Sequence, residues 1–329
     1  MSKKLLITGA SGFVGYHLIE AALRAGFEVY AAVRKSSDVS HLKEFNLHYV
    51  DLDYSSVDAL KVHLEAGKYQ YIIHAAGITK AKNLAAYNKV NADYSRNLAI
   101  AAGTANIDLK KFVFVSSLAA LGPLLDLSGE IRDDVAGKPV TSYGISKLLA
   151  EEYLKNIPDL PLIIIRPTAV YGPREKDIFI LFKSISRGLE PHIGNFKQQL
   201  SFIYVKDLAQ VIIHASLSNV TGKQYNVSDG RIYDRYVLAS LIKKAMNKKT
   251  LKFHLPIGIV GSMAAFMELI YRNSATTPTL NKEKMAELTA INWACNIDQA
   301  RHDLGYDPQF DLEKGLLETV SWYQMNKWL

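Results

Sequence analysis

Short apolar runs alternate with longer stretches of helical periodicity through the first half of the chain. KLLITGA (4–10) and EVYAAV (28–33) have the length and apolar density of buried strands. Between them Phe13, Val14, Leu18, Ala21, Ala22 and Ala25 recur at helical spacing. The strand pattern returns at LHYVDL (47–52), YIIHAAG (71–77), KFVFVSS (111–117) and LPLIIIRP (160–167). Helical patterns at 56–67, 85–106 and 142–157 lie among these runs. Such alternation builds right-handed βαβ units. It predicts an α/β fold: a doubly wound parallel sheet, helices on both faces, and ligands at the carboxyl ends of the strands.

After about Val170 the rhythm changes. YGPREKD (171–177) reads as a loop and IFILFKSISRG (178–188) as a helix. LSFIYVKDLAQVIIHA (200–215) returns to strand and helix. From Leu217 onward helices and loops dominate, with TTPTL (276–280) and LGYDPQF (304–310) as breakers. The predicted division is a dinucleotide-binding domain over 1–170, to which 202–216 returns. A smaller, mostly C-terminal substrate-binding lobe takes 171–201 and 217–329.

Composition narrows the classes. Of 329 residues, 49% are apolar and 22% charged, so a folded core is expected. A single cysteine, Cys295, excludes an intrachain disulfide and a cysteine-based metal cluster; it suits a reducing cytoplasm, and no metal site is predicted. The longest apolar run, LPIGIVGSMAAFMELIY (255–271), is broken by Gly258, Gly261 and Glu268 and falls short of the roughly 20 residues that cross a bilayer. It reads as a buried or lid helix, a membrane-touching helix being the lesser alternative; stable insertion is not expected. The net charge of +7 is spread along the chain without aromatic–basic interleaving, so no nucleic-acid partner is expected.

The first strand runs into TGASGFVG, with Gly9, Gly12 and Gly15 at three-residue intervals. Gly9 permits a tight turn, Gly12 lets a pyrophosphate reach a helix N-terminus, and Gly15 lets the helix pack on the strand. At the end of the second strand, where an acid would bind the ribose of NAD, stands Val33, followed by Arg34 and Lys35. An arginine there can grip a 2′-phosphate. NADP is therefore the predicted cofactor; NAD is the alternative, with Asp38 doing the acid's work. Asp51 closes the third strand, where it either meets an adenine amino group or caps a helix.

HAAG (74–77) and SS (116–117) end later strands. Small residues at 75–77 let a flat dinucleotide lie close. His74 is a candidate base or a packing residue, and Asn91 a candidate tie between elements. In TSYGISK, Tyr143 and Lys147 share one helix face at i and i+4. A phenol is a poor acid–base catalyst at neutral pH, and a neighbouring ammonium lowers its pKa. With Ser117 binding the substrate oxygen, the set suits hydride transfer between a carbonyl or alcohol and a nicotinamide.

These motifs, with VNADYSRNL, RPTAVYGP, FIYVKDLA and YNVSDG, make the chain resemble an extended short-chain dehydrogenase/reductase, the superfamily of NAD(P)-dependent epimerases and dehydratases. The resemblance spans almost the whole chain and implies a Rossmann sheet. It implies that Ser117 orients substrate, that Tyr143 is the acid–base, and that Lys147 tunes Tyr143 and holds the ribose. The loop residues Gly9, Ser11, Gly12, Phe13, Val14 and Gly15 would hold the pyrophosphate. Asp51 and Leu52 would line the adenine site, and Ala75, Ala76 and Gly77 the cleft. Asn91 would support the active site, and Pro167, Thr168, Ala169 and Val170 would flank the nicotinamide. A homodimer through 85–103 and 142–156 is also implied.

VRKSS and the tail from 278 onward resemble the dihydroflavonol-reductase-like and 3β-hydroxysteroid-dehydrogenase-like branch. The chain departs from sugar-nucleotide epimerases, which carry an arginine just before FIYV to grip a diphosphate; here Gln198, Gln199 and Leu200 stand there, with Lys197 the nearby cation. The leading expectation is an NADP-dependent reductase of a small, uncharged or partly apolar carbonyl compound. The alternatives are a nucleotide-sugar epimerase or dehydratase and a non-catalytic NAD(P)H-binding protein.

Overall fold

The structure, a computed structural model, describes residues 3–271, 278 and 280–329. Within the TTPTL breaker, Thr276, Thr277 and Thr279 lie outside the described residues.

The apolar runs of the first half form β1 (Lys3–Thr8), β2 (Phe27–Ala32), β3 (His48–Val50), β4 (Tyr71–His74), β5 (Lys111–Val115) and β6 (Leu162–Pro167). Later come β7 (Ala169–Tyr171), β8 (Leu189–Ile193), β9 (Gln199–Leu200), β10 (Phe202–Tyr204), β11 (Lys223–Val227), β12 (Tyr233–Asp234) and β13 (Leu251–Leu255). Seven strands pair in the order β11-β6-β5-β4-β1-β2-β3, all parallel. Chain order reverses between β1 and β4, and this is where a doubly wound sheet opens its ligand crevice.

Side chains alternate along each strand, so both faces are apolar. Leu5 and Ile7 of β1 join one core with Leu18 of α1 (Phe13–Arg24) and Leu208 of α7 (Val205–Leu217). Leu6 points the other way. It meets Leu60 of α2 (Val57–Gly67), Leu98 of α4 (Tyr94–Thr104) and Leu154 of α5 (Ser142–Lys155). A short α3 (Leu84–Tyr87) precedes α4. The predicted helix over 85–106 is therefore not continuous: a π turn at Asn88–Asp93 separates α3 from α4.

A further core joins α6 (Phe179–Ser186), α8 (Val237–Met246) and α12 (Leu312–Met325) around Tyr171, Phe202 and Tyr204. The lobe predicted over 171–201 and 217–329 gives up β11 to the main sheet, where it pairs with β6. The returning segment 202–216 divides: β10 pairs with β7 outside the main sheet, while α7 packs on its face. The apolar run at 255–271 forms α9 (Ile257–Ile270), which buries only Val260 and Ala264 and leaves one side exposed. It is followed by α10 (Lys282–Thr289) and α11 (Asp298–Leu304). Among the described residues no helix is long and apolar enough to cross a membrane. Cys295 is buried as a free thiol against the sheet.

Candidate active site

The crevice is floored by the loop between β1 and α1. Gly9 has φ +70°, and a Cβ there would lie 2.6 Å from the Ala75 carbonyl oxygen. A Cβ on Gly15 would lie 2.2 Å from the Gly9 carbonyl oxygen, so this glycine sets how closely the helix approaches its strand. Gly12 is the helix N-cap; no side chain caps the helix and its first turn carries no acid. Gly12 is exposed, with Ser11, Phe13 and Val14 half-buried beside it. An uncapped, acid-free helix start behind two glycines fits a dinucleotide pyrophosphate.

Arg34 and Lys35, just past β2, are exposed. Asp38 is also exposed, and its Oδ1 accepts the Ser40 N–H at 2.9 Å, which holds its carboxyl below the usual range. Asp51 is exposed and Leu52 half-buried after β3. A basic cluster that sequence reading missed stands beside the loop. His41 stands close enough to the Ser11 backbone and to Arg174 for both to act on its imidazole, whose pKa burial lowers, and the Arg174 guanidinium lies 4.0 Å from the Tyr16 ring centroid. These residues come together only when the 171–177 loop folds back over α1.

His74 is a structural residue. The Ala76 N–H donates to Thr8 Oγ1 at 3.1 Å, and Thr8 Oγ1 lies 2.7 Å from His74 Nδ1. His74 Nε2 lies 2.8 Å from Ser95 Oγ, which donates to the Asn91 carbonyl at 2.6 Å. Donor counting along this chain leaves Nδ1 as acceptor and places the ring proton on Nε2. Burial pushes the imidazole down to about 3, so it stays neutral. Of the two roles open to His74, base and packing residue, the geometry matches packing.

Asn91 is fully buried in the π turn. Its Oδ1 accepts the Ile78 N–H at 2.8 Å, and its Nδ2 donates to the Ile78 carbonyl and to Ser146 Oγ, each at 3.0 Å. It thus ties the Ala75–Gly77 edge of the cleft to α5. A π turn of this kind within a helix is a local irregularity, and here it carries the Asn91 side chain that bridges the two.

On α5, Tyr143 is half-buried and Lys147 buried. Burial pushes the Tyr143 phenol up to about 12, and the Ser117 hydroxyl beside it pulls the other way. Glu287 of α10 and Tyr87 raise it further; the Tyr87 and Tyr143 rings are 6.3 Å apart. Glu283 of α10 accepts the Ser142 N–H at 3.0 Å. Lys147 Nζ donates to the Val115 carbonyl at 2.7 Å and lies 4.5 Å from the Phe114 ring centroid. Burial lowers its pKa to about 8. β5 thus holds the ammonium, and the Ser117 hydroxyl is the neighbour that lowers the Tyr143 pKa. Pro167 at the end of β6 is buried, Ala169 exposed and Val170 half-buried, while the Thr168 hydroxyl is buried without a partner among the described residues. An unmatched hydroxyl beside the crevice suits a bound polar group.

The NAD-dependent epimerase/dehydratase family profile matches residues 5–228. The chain belongs to this family. A ceramide reductase of Caulobacter vibrioides is 28% identical over 98% of this chain and 95% of its own length. A UDP-glucose 4-epimerase of Vibrio cholerae is 25% identical over 97% of this chain and 95% of its own. In fold, the chain is similar to the dTDP-glucose 4,6-dehydratase of Bacillus anthracis in complex with NAD, with a TM-score of 0.78, 19% identity, and 99% and 98% of the two chains covered. Membership of the epimerase/dehydratase family agrees with the crevice, whose glycine loop and open helix start suit a nicotinamide dinucleotide. At these identities relatives with reductase and epimerase names are both present.

The residues before β10 are engaged structurally. Gln198 Nε2 donates to the Leu288 carbonyl at 3.1 Å and the Ala290 carbonyl at 2.6 Å. The Gln199 N–H donates to the Ile291 carbonyl at 2.8 Å. At the positions where the resemblance to epimerases predicts a diphosphate-gripping arginine, these residues anchor the end of α10 and the segment after it.

Proposed function

We propose that this chain is an NADP-dependent oxidoreductase that reduces a carbonyl of a small, uncharged or partly apolar substrate, or oxidises the matching alcohol. The carrying observation is that α5 sets Tyr143 beside Ser117 at the carboxyl end of β5; in support, Gln198 and Gln199 stand in place of a diphosphate fork. When bound, the nicotinamide cofactor supplies the hydride. Gly9, Gly12 and Gly15 would admit its pyrophosphate, and Arg34 would face the 2′-phosphate. Ala75 to Gly77 would line its path, and the Thr168 hydroxyl would meet its polar end.

The residues of the chain handle the proton. Ser117 donates a hydrogen bond to the carbonyl oxygen and fixes its position. Tyr143, protonated at neutral pH, gives its proton to the same oxygen as negative charge develops there. The Lys147 ammonium, at the base of the same helix face, favours the phenolate that remains. The name of the Caulobacter relative supports an apolar substrate.

Incubation with NADPH and candidate aldehydes or ketones tests the reading. Net NADPH consumption is expected, with Tyr143→Phe lowering kcat at least ~100-fold and leaving cofactor affinity nearly intact. Near-normal turnover in that variant would remove Tyr143 from the mechanism. The epimerase reading, which the Vibrio relative favours, requires product formation without net NADPH loss.

A further inference from the structure

Helix α9 is apolar on the side it buries and on the side it shows. Val260 and Ala264 pack with Met285, Ile193, Leu255 and Leu280. On an adjoining, outward flank Ile259, Met263, Phe266 and Ile270 are 55%, 51%, 64% and 61% exposed. Their spacing, i, i+4, i+7 and i+11, makes one continuous stripe. A surface helix ordinarily turns charges outward. The one charged residue of α9, Glu268, is engaged: its Oε1 accepts the Lys282 N–H at 2.9 Å. An exposed apolar patch of this kind marks a contact surface.

Charge decides the partner. The exposed Lys197 follows the Gly194 turn, which abuts Ile257 at the start of α9. The exposed Lys282 sits at the other end, beside Glu268. Neither ammonium has an ion pair among the described residues. An uncharged stripe bracketed by unpaired cations matches acyl chains bordered by anionic headgroups. It matches a second copy poorly. Antiparallel pairing of two such stripes would set Lys197 of one copy against Lys282 of the other. At 14 residues α9 is about 21 Å long, too short to span a bilayer and suited to lying in its surface.

We propose that α9 docks this protein on the surface of an anionic lipid bilayer, with Ile259, Met263, Phe266 and Ile270 seated among the acyl chains. The docked helix packs on α10, whose Glu283 and Glu287 border Ser142 and Tyr143. The crevice therefore lies one helix from the membrane. Delivery of a lipid carbonyl to Tyr143 rests on the reductase reading; the docking does not.

The test is cosedimentation of the full chain with phosphatidylcholine vesicles, with and without phosphatidylglycerol, at low and high salt. Binding to the anionic vesicles is expected, weakening as salt rises. The double variant Met263→Asp/Phe266→Asp should partition at least roughly tenfold less. Lys197→Glu/Lys282→Glu should lose the preference for anionic vesicles, which keeps the test decisive should the aspartate variant misfold. NADPH titration of each variant reports on the crevice separately, so failure of the reductase reading leaves the vesicle result standing. Absence of wild-type binding to the anionic vesicles, or unchanged binding by the aspartate variant, overturns the proposal. So does a wild-type dimer that the aspartate variant dissolves without any vesicle binding, which would assign the stripe to a second copy.

Discussion

Helix α5 carries Tyr143, Lys147 and Glu151 at i, i+4 and i+8, so one face holds the candidate acid and its anchor. Glu151 is 0% and Arg166 2% exposed. Glu151 Oε1 accepts from Ser116 Oγ at 2.6 Å and from Arg166 Nε at 2.9 Å; Oε2 accepts from Arg166 Nη2 at 2.5 Å. Ser116 precedes Ser117, so this carboxylate fixes both α5 and the serine against β5 and β6. Glu151→Ala would leave the Arg166 charge buried, with the Asp133 carbonyl and Gln224 as its remaining partners. Removing one member of a buried pair costs about 3–5 kcal/mol, a large share of the ~5–15 kcal/mol typical of a folded chain. With a urea slope near ~3 kcal/mol/M, the unfolding midpoint should fall by about 1–1.7 M. Glu151→Met/Arg166→Met removes both charges and should cost under ~2 kcal/mol. Urea unfolding followed by tryptophan fluorescence reads each variant. A loss below ~1 kcal/mol for Glu151→Ala, or a double variant as damaged as the sum of the singles, would refute the reasoning.

Burial lowers Lys147 to about 8, so its ammonium is present below that pH and lost above it. Carbonyl reduction should decline as pH rises through about 8, and Lys147→Met should be slow and without that alkaline limb. A limb that persists in the variant belongs to another group. Arg34→Ala should weaken NADP binding by roughly ten- to a hundred-fold, leave NAD binding nearly unchanged, and lose the salt dependence of the preference. Calorimetric titrations that give equal wild-type affinities for the two cofactors would remove the 2′-phosphate role. Gly15→Ala should cost at least ~1–3 kcal/mol and weaken cofactor binding, because its Cβ meets backbone at 2.2 Å. Gly258→Ala, with nothing within 4 Å of the added Cβ, is the thermal-unfolding control and should be neutral or slightly stabilising.

Local pattern determined much of this protein. Each of β1 to β6 is a short apolar run whose strand character needs no distant partner to be visible, and the loop Gly9-Gly12-Gly15 is legible because its turn, helix start and strand adjoin in sequence. The helical spacing of Tyr143 and Lys147 was equally local. Only tertiary structure decided what those groups touch. KQYNV joins the main sheet as β11 because β6 offers a free edge, although its own pattern is half polar. The segment 85–106 breaks into a π turn because Asn91 finds Ile78 and Ser146 inside the fold. Lys147 rests on Val115, while Glu283, 141 positions from Ser142, accepts that residue's N–H in the first turn of the helix that presents Tyr143. Apolar periodicity is written residue by residue, because burial of one face needs only a repeating spacing. The partner and the pKa of a buried polar group depend on which remote segments exclude its water, and the folded chain alone sets that.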